Sequence, residues 1–180
     1  MLRDNEAQLM RRVADGDRGA FRSLLDQHQR SLAIYVRRMM GDSHLADDIV
    51  QETFLRMWTH AARYDSQTAR LSTWLHNIAH NLCIDSFRKS SRITYTDNDE
   101  TFGGETQTIE QSHDQHVKSA EVRAALAALP ERQRSALLLC HYQGLSNKEA
   151  AQILEVSVDA LESLLARGRR KLRKELLAHD

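Results

Sequence analysis

An all-α protein of two small helical domains is what this sequence predicts, on three observations. Seven Gly and one Pro are few for 180 residues. β-branched residues seldom cluster, and apolar residues recur at helical spacing on both sides of a polar, aperiodic stretch. At this length each of two domains can bury only a modest core, so helices joined by short turns are the economical solution.

From about Leu9 to Arg92 the helical period breaks only at Asp15-Gly16-Asp17, at Gly41-Asp42-Ser43 and over the polar stretch Asp65 to Thr73. Residues 9–92 therefore read as one bundle. Residues 93–116 include Thr94, Asp97-Asn98-Asp99-Glu100, Gly103-Gly104 and Ser112. They lack periodicity, are too polar to bury and fit a flexible acidic linker. A second domain, 117–180, begins near Val117.

In that domain Pro130 suits the first turn of a helix, and Ala136, Leu137, Cys140 and His141 come after it at helical spacing until Gly144 stops it. Ser146-Asn147-Lys148-Glu149 has the form of a capping box, in which hydroxyl and carboxylate each satisfy a free amide; it predicts a short helix to about Leu154. Glu155-Val156 turns, Ser157 caps again, and Val158, Leu161, Leu165, Leu172 and Leu176 form the buried stripe of a longer last helix. Two capped helices with a tight turn suggest helix-turn-helix, although an ordinary helical hairpin has the same spacing. The basic run Arg167 to Lys174 favours DNA, since it can grip phosphates while Asp159, Glu162, Ser163 and Arg167 point outward.

The formal charge is zero, from 25 basic and 25 acidic side chains, which argues against an indiscriminate nucleic-acid binder. The charges are nonetheless segregated. Arg88, Lys89 and Arg92 cluster, whereas Ile93 to Val117 holds acids and no Lys or Arg. Cys83 and Cys140 lie in apolar helical contexts without CxxC spacing and read as buried thiols rather than disulfide or zinc ligands. Met1 to Arg12 lacks a signal core, and no apolar run approaches the roughly 20 residues of a membrane span, so a cytoplasmic protein without membrane insertion is expected.

His76-Asn77-Ile78-Ala79-His80 places two imidazoles on one helical face, as zinc hydrolases do, but Asn77 stands where such chemistry needs a glutamate to take a proton from metal-bound water. His80 with Cys83 would make at most a sensor; surface histidines are the expectation. No phosphate-binding glycine loop is present. A catalytic residue, a metal and a cofactor are therefore not predicted.

On a helix, Ala46, Ile49, Val50, Thr53, Phe54 and Met57 point inward, while Asp48, Gln51, Glu52, Leu55 and Arg56 form an outward band with one exposed leucine. A solvated charged face would look alike. The whole segment Ala46 to Trp58, however, resembles the polymerase-binding signature of extracytoplasmic-function sigma factors. Thr73 to Lys89 is similar to the promoter-opening, minus-ten-reading segment of that family: the Trp74-Leu75 start, Ile78-Ala79, Asn81, Asp85 and the basic end agree, although Trp74 and Phe87 also suit a core. The last domain matches from Leu129-Pro130 through Gly144-Leu145-Ser146, Glu149-Ala150-Ala151 and Val156-Ser157 to Arg167 and Arg169.

The resemblance implies a non-enzymatic factor that binds core RNA polymerase, recognises and melts promoters, and is held by an anti-sigma factor. Its partners would be core polymerase and promoter DNA, both double-stranded and melted; it would be a monomer when free. It further implies polymerase contacts at Asp48, Gln51, Glu52, Leu55 and Arg56, and minus-ten contacts at Asn81, Asp85, Arg88, Lys89 and Arg92, with the Asp65 to Thr73 loop forming a base pocket. Minus-thirty-five contacts would come from Ser157, Asp159, Glu162, Ser163, Arg167, Arg170 and Lys171. One departure stands out: Glu162 lies where many relatives carry a basic residue. Its carboxylate can accept from a cytosine amino group or hold a neighbouring arginine. A lone helix-turn-helix repressor is the rival reading, but it has no use for a melting segment.

Overall fold

The computed structural model describes residues 2–94 and 113–177, with side chains over 5–91 and 120–177. Among them the fold is all-α: α1 Leu2–Ala14, α2 Arg18–Met40, α3 Ser43–Thr59, α4 Leu71–Thr94, α5 His113–Ala127, α6 Glu131–Leu137, α7 Asn147–Ile153 and α8 Val158–Leu177. The chain gathers into two compact units. The first holds α1, most of α2, α3 and α4; the second holds α5 to α8 together with Arg37–Ser43. Both ends of the expected linker 93–116 are helical, since α4 runs to Thr94 and α5 starts at His113; residues 95–112 lie outside the described ones.

The helix breaks foreseen from Gly and Asp between α1, α2 and α3 are the real ones. Asp17 caps α2: its Oδ1 accepts from the amides of Gly19 (2.8 Å) and Ala20 (3.0 Å), and its Oδ2 from the Arg12 guanidinium at 2.7 Å. Those contacts, the Ala20 amide foremost and then Arg12, hold its carboxyl below the usual aspartate value of 3.8. The cap is therefore intact at neutral pH and is lost only as pH falls through that lowered value. Gly41, at φ +73°, ends α2 in a conformation that costs any side chain strain.

Met10 and Val13, Leu24, Leu32 and Tyr35, Ile49 and Met57, and Leu71, Leu75, Ala79 and Cys83 supply the core of this unit. Phe21 meets Trp58 edge-on, 5.3 Å between centroids, the geometry that ring quadrupoles favour. His76 and His80 are buried in the same core, contrary to the expectation of surface histidines. The His76 Nδ1 donates to the Ser72 carbonyl at 2.7 Å, its ring packs edge-on to Tyr35, and the Tyr35 hydroxyl pairs with His80 Nδ1 at 3.0 Å. Buried polar rings are tolerated because they find such partners.

In the second unit α8 packs on α6 and α7. The capping box is complete: the Ser146 hydroxyl accepts from the Glu149 amide, and Glu149 accepts from the Ser146 amide at 2.9 Å. The helix that Gly144 (φ +65°) terminates is not regular throughout, because Leu138–Tyr142 forms a π turn after α6. Cys140, within that turn, is partly rather than fully buried. Of the expected stripe on α8, Leu161 and Leu165 are buried, Leu172 and Leu176 partly so, and Val158, at the helix tip, is exposed. Gly168 completes the stripe: a Cβ there would stand 3.0 Å from Leu137 Cδ1. Gly168→Val should therefore overpack this contact and destabilise the unit by about 1–3 kcal/mol, read as a lower melting temperature.

Candidate nucleic-acid interface

Three surfaces hold the residues singled out in the sequence. On α3, Ala46, Ile49, Thr53, Phe54 and Met57 are buried. Thr53 fits there because its hydroxyl donates to the Ile49 carbonyl at 2.7 Å. The opposite band carries Asp48, Gln51 and Leu55 in solvent, with Glu52 and Arg56 half-buried and paired at 2.8 Å. A solvent-accessible i,i+4 pair of this kind adds little stability, but it draws both side chains onto the helix; Leu55 on the same band is 55% exposed.

Leu55, Arg56, His60, Arg63, Trp74 and Ile78 line a cleft of about 590 Å³ between α3 and α4. Sequence reading foresaw the first two on this surface and missed the others as its wall. Trp74 and Ile78 stand four residues apart on one side of α4, a spacing that signals a shared face without naming what it faces.

On α4 the outer row runs through Asn77, Asn81, Asp85, Arg88 and Lys89, the last four exposed. Asn81 Nδ2 donates to Asn77 Oδ1 at 3.0 Å, which fixes the Asn81 amide, and Arg88 lies 3.9 Å from Asp85. Asn77 was not among the expected contacts. The Arg92 side chain lies outside the described residues. The loop before α4 is ordered by Asp65, which accepts from the Gln67 amide (2.9 Å) and the Thr68 hydroxyl (2.8 Å). These two bonds, Gln67's foremost, hold the Asp65 carboxyl below its usual value. Tyr64 closes the loop, donating to the Ala69 carbonyl at 3.2 Å and packing against Trp74 at 5.5 Å between centroids. The loop is shorter than Asp65 to Thr73, because α4 already begins at Leu71, and Leu71 and Thr73 are buried.

On α8, Asp159, Glu162, Ser163, Arg167 and Arg170 are exposed and Lys171 is partly so. Asp159, Ser163, Arg167 and Arg170 recur at the spacing of one helical face. Ser157 caps the helix, accepting from the Ala160 amide at 3.1 Å. Arg167 Nε donates to the Ser163 carbonyl at 3.2 Å, which orders its stem and leaves its terminal nitrogens to other partners. The partner of Glu162 is Asn147, whose Nδ2 donates to Oε1 at 3.4 Å; no arginine among the described residues holds that carboxylate. Among the described residues no helix is long and apolar enough to cross a membrane.

The Sigma-70 region 2 family matches residues 24–93 and the Sigma-70 region 4 family residues 119–172. The chain is 34% identical over 173 residues to the ECF RNA polymerase sigma factor SigE of Mycolicibacterium smegmatis, covering 93% of this chain and 66% of that one. It is 32% identical over 178 residues to the ECF RNA polymerase sigma factor SigW of Bacillus subtilis, covering 93% of this chain and 94% of SigW. Among solved structures, CnrH, determined in complex with the cytosolic domain of CnrY, superposes with a TM-score of 0.74 at 27% identity over 98% of this chain and 99% of that one. Two sigma-family regions in order, with SigW matched almost end to end, establish that the chain belongs to the ECF family of RNA polymerase sigma factors.

Proposed function

We propose that the chain is the promoter-specificity subunit of RNA polymerase: it docks on the core enzyme through the outer band of α3, opens the minus-ten element with α4 and reads the minus-thirty-five element with α8. The observation that carries this reading is the two-sidedness of α4. One face is locked in the core by Leu75, His76, Ala79, His80 and Cys83, while the other presents two amides, an acid and two bases in a row. Strand separation needs such a face, since a released base must find hydrogen bonds while the phosphates beside it are neutralised. The Asp65 loop, stiffened by its own hydrogen bonds, would wall the base pocket.

On α8, Arg167, Arg170 and Lys171 would hold phosphates, while Ser163 and Glu162 face the base edges and Ser157 and Asp159 set the helix N-terminus against the backbone. Polymerase performs the chemistry, so this chain needs no cofactor, and we place it in the cytoplasm as a monomer when free. CnrH was determined bound to the cytosolic domain of CnrY, and we extend that mode of control to this chain as an anti-sigma factor that covers its working faces.

The test is charge reversal on α3. Asp48→Lys with Glu52→Lys should weaken binding to core polymerase by about tenfold or more, while circular dichroism stays unchanged because neither side chain is in the core. Unchanged affinity, or unfolding, removes α3 as the docking face.

A further inference from the structure

The recognition helix carries a carboxylate where DNA offers mostly negative charge, and the structure supplies a reason for its placement. Glu162 stands at the edge of a cleft of about 540 Å³ in the second unit, whose walls include Cys140, Asn147, Leu165 and Arg169. Across this cleft run two hydrogen bonds in series, from Cys140 Sγ to Asn147 Oδ1 (3.8 Å) and from Asn147 Nδ2 to Glu162 Oε1 (3.4 Å). Their polarity is dictated by chemistry. A carboxylate only accepts, so the amide must turn its nitrogen to Glu162, which leaves its oxygen to the thiol, and a thiol proton can donate there. Burial pushes the Cys140 thiol pKa up, which keeps that proton in place. Both ends of this series sit in ordered backbone: Asn147 is the first residue of α7, within the capping box that Ser146 and Glu149 form, and Cys140 sits in the π turn. A π turn carries an extra residue and so rotates the later residues around the helix axis; such turns recur at functional sites.

We infer that Asn147 is a positioning residue for Glu162, holding its carboxylate on the flank of α8 so that the second oxygen accepts from a cytosine amino group at one base pair of the minus-thirty-five element. The inference rests on the proposed reading of α8 as the minus-thirty-five helix. An unheld glutamate on an exposed helix spends much of its time in other rotamers, and ordering it at the moment of binding costs entropy. Asn147 removes that cost in advance. Cytosine is the base served, because among the major-groove edges it offers a donor without an adjacent acceptor to repel a carboxylate.

The test uses holoenzyme assembled from the full chain and core polymerase, bound to a promoter library with each minus-thirty-five base pair randomised. Glu162→Ala and Asn147→Ala should both flatten preference at the same base pair, by about fivefold or more for Glu162→Ala. The double variant should do no more than Glu162→Ala alone, because one residue acts through the other. Cys140→Ser, which keeps a donor, should retain the preference, and Asn147→Asp, which sets carboxylate against carboxylate, should lose it. The dependence of affinity on salt should not change in the charge-neutral variants Asn147→Ala and Cys140→Ser, since no phosphate contact is touched.

If Glu162→Ala shifts preference while Asn147→Ala leaves it intact, lowers binding to all sequences alike, or multiplies with Glu162→Ala, the positioning role is overturned and the reading of α8 stands. If neither variant nor Arg167→Ala alters minus-thirty-five binding, that reading falls, and this inference with it.

Discussion

Leu55→Asp should abolish most of the affinity for core polymerase, by about a hundredfold, without loss of helical structure. Leu55 is more than half exposed on a band of polar neighbours, more so than Leu45 on the same helix, and lines the cleft between α3 and α4, so its side chain is the one within the proposed docking band that offers apolar area to a partner. Burying a leucine is worth about 1.5–3 kcal/mol, and forcing an aspartate into the same contact adds the cost of a desolvated, unpaired carboxylate. Ile34→Asp is the control: Ile34 is also exposed, on α2, and its substitution should leave binding near the parent value. Affinity measured by fluorescence anisotropy distinguishes the two. Equal losses in both variants would mean a general effect of added charge rather than a docking side chain.

The second large effect lies on α4. Asn81→Ala should bind promoter duplex in the holoenzyme almost as the parent does, yet lose about tenfold or more of strand opening, seen as lost permanganate reactivity of unpaired thymines near the start site. A polar group built to receive a released base discriminates strongly, because its removal leaves the base without the hydrogen bond that replaced pairing. Asn77→Ala should show a smaller loss of the same kind, since Asn77 holds the Asn81 amide. Arg88→Ala with Lys89→Ala should instead reduce opening in a salt-dependent manner, the signature of phosphate contacts. Normal melting by Asn81→Ala would move the base-capturing role elsewhere on α4 or to the Asp65 loop.

Local rules made much of this legible in sequence. The Ser146 box and the Ser157 cap involve residues three apart, and the inward and outward faces of α3 are set by periodicity, so both could be read without a fold. The features that eluded reading depend on which elements meet. Gly168 is a glycine in a helical run until Leu137 of α6 is seen beneath it. His76 and His80 look like surface residues or metal ligands until the Ser72 carbonyl is seen to take the His76 Nδ1 proton and Tyr35 on α2 to pair with His80 Nδ1. Val158 fits the stripe by spacing, yet at the tip of α8 it stays exposed. The partner of Glu162 comes from a different helix, fifteen residues back, and no charge pattern points to an asparagine.

The central claim is that promoter selection belongs to this chain only when it is joined to polymerase. Core RNA polymerase should be supplied with genomic fragments, with and without the protein, and the 5′ ends of the transcripts sequenced. Initiation should appear at a limited set of sites sharing a minus-thirty-five and a minus-ten element, only when both proteins are present. The chain alone should bind the same fragments weakly, since its formal charge is zero and its basic patches are small. Tight, sequence-specific duplex binding by the isolated chain, with no new start sites when core polymerase is added, would contradict the account.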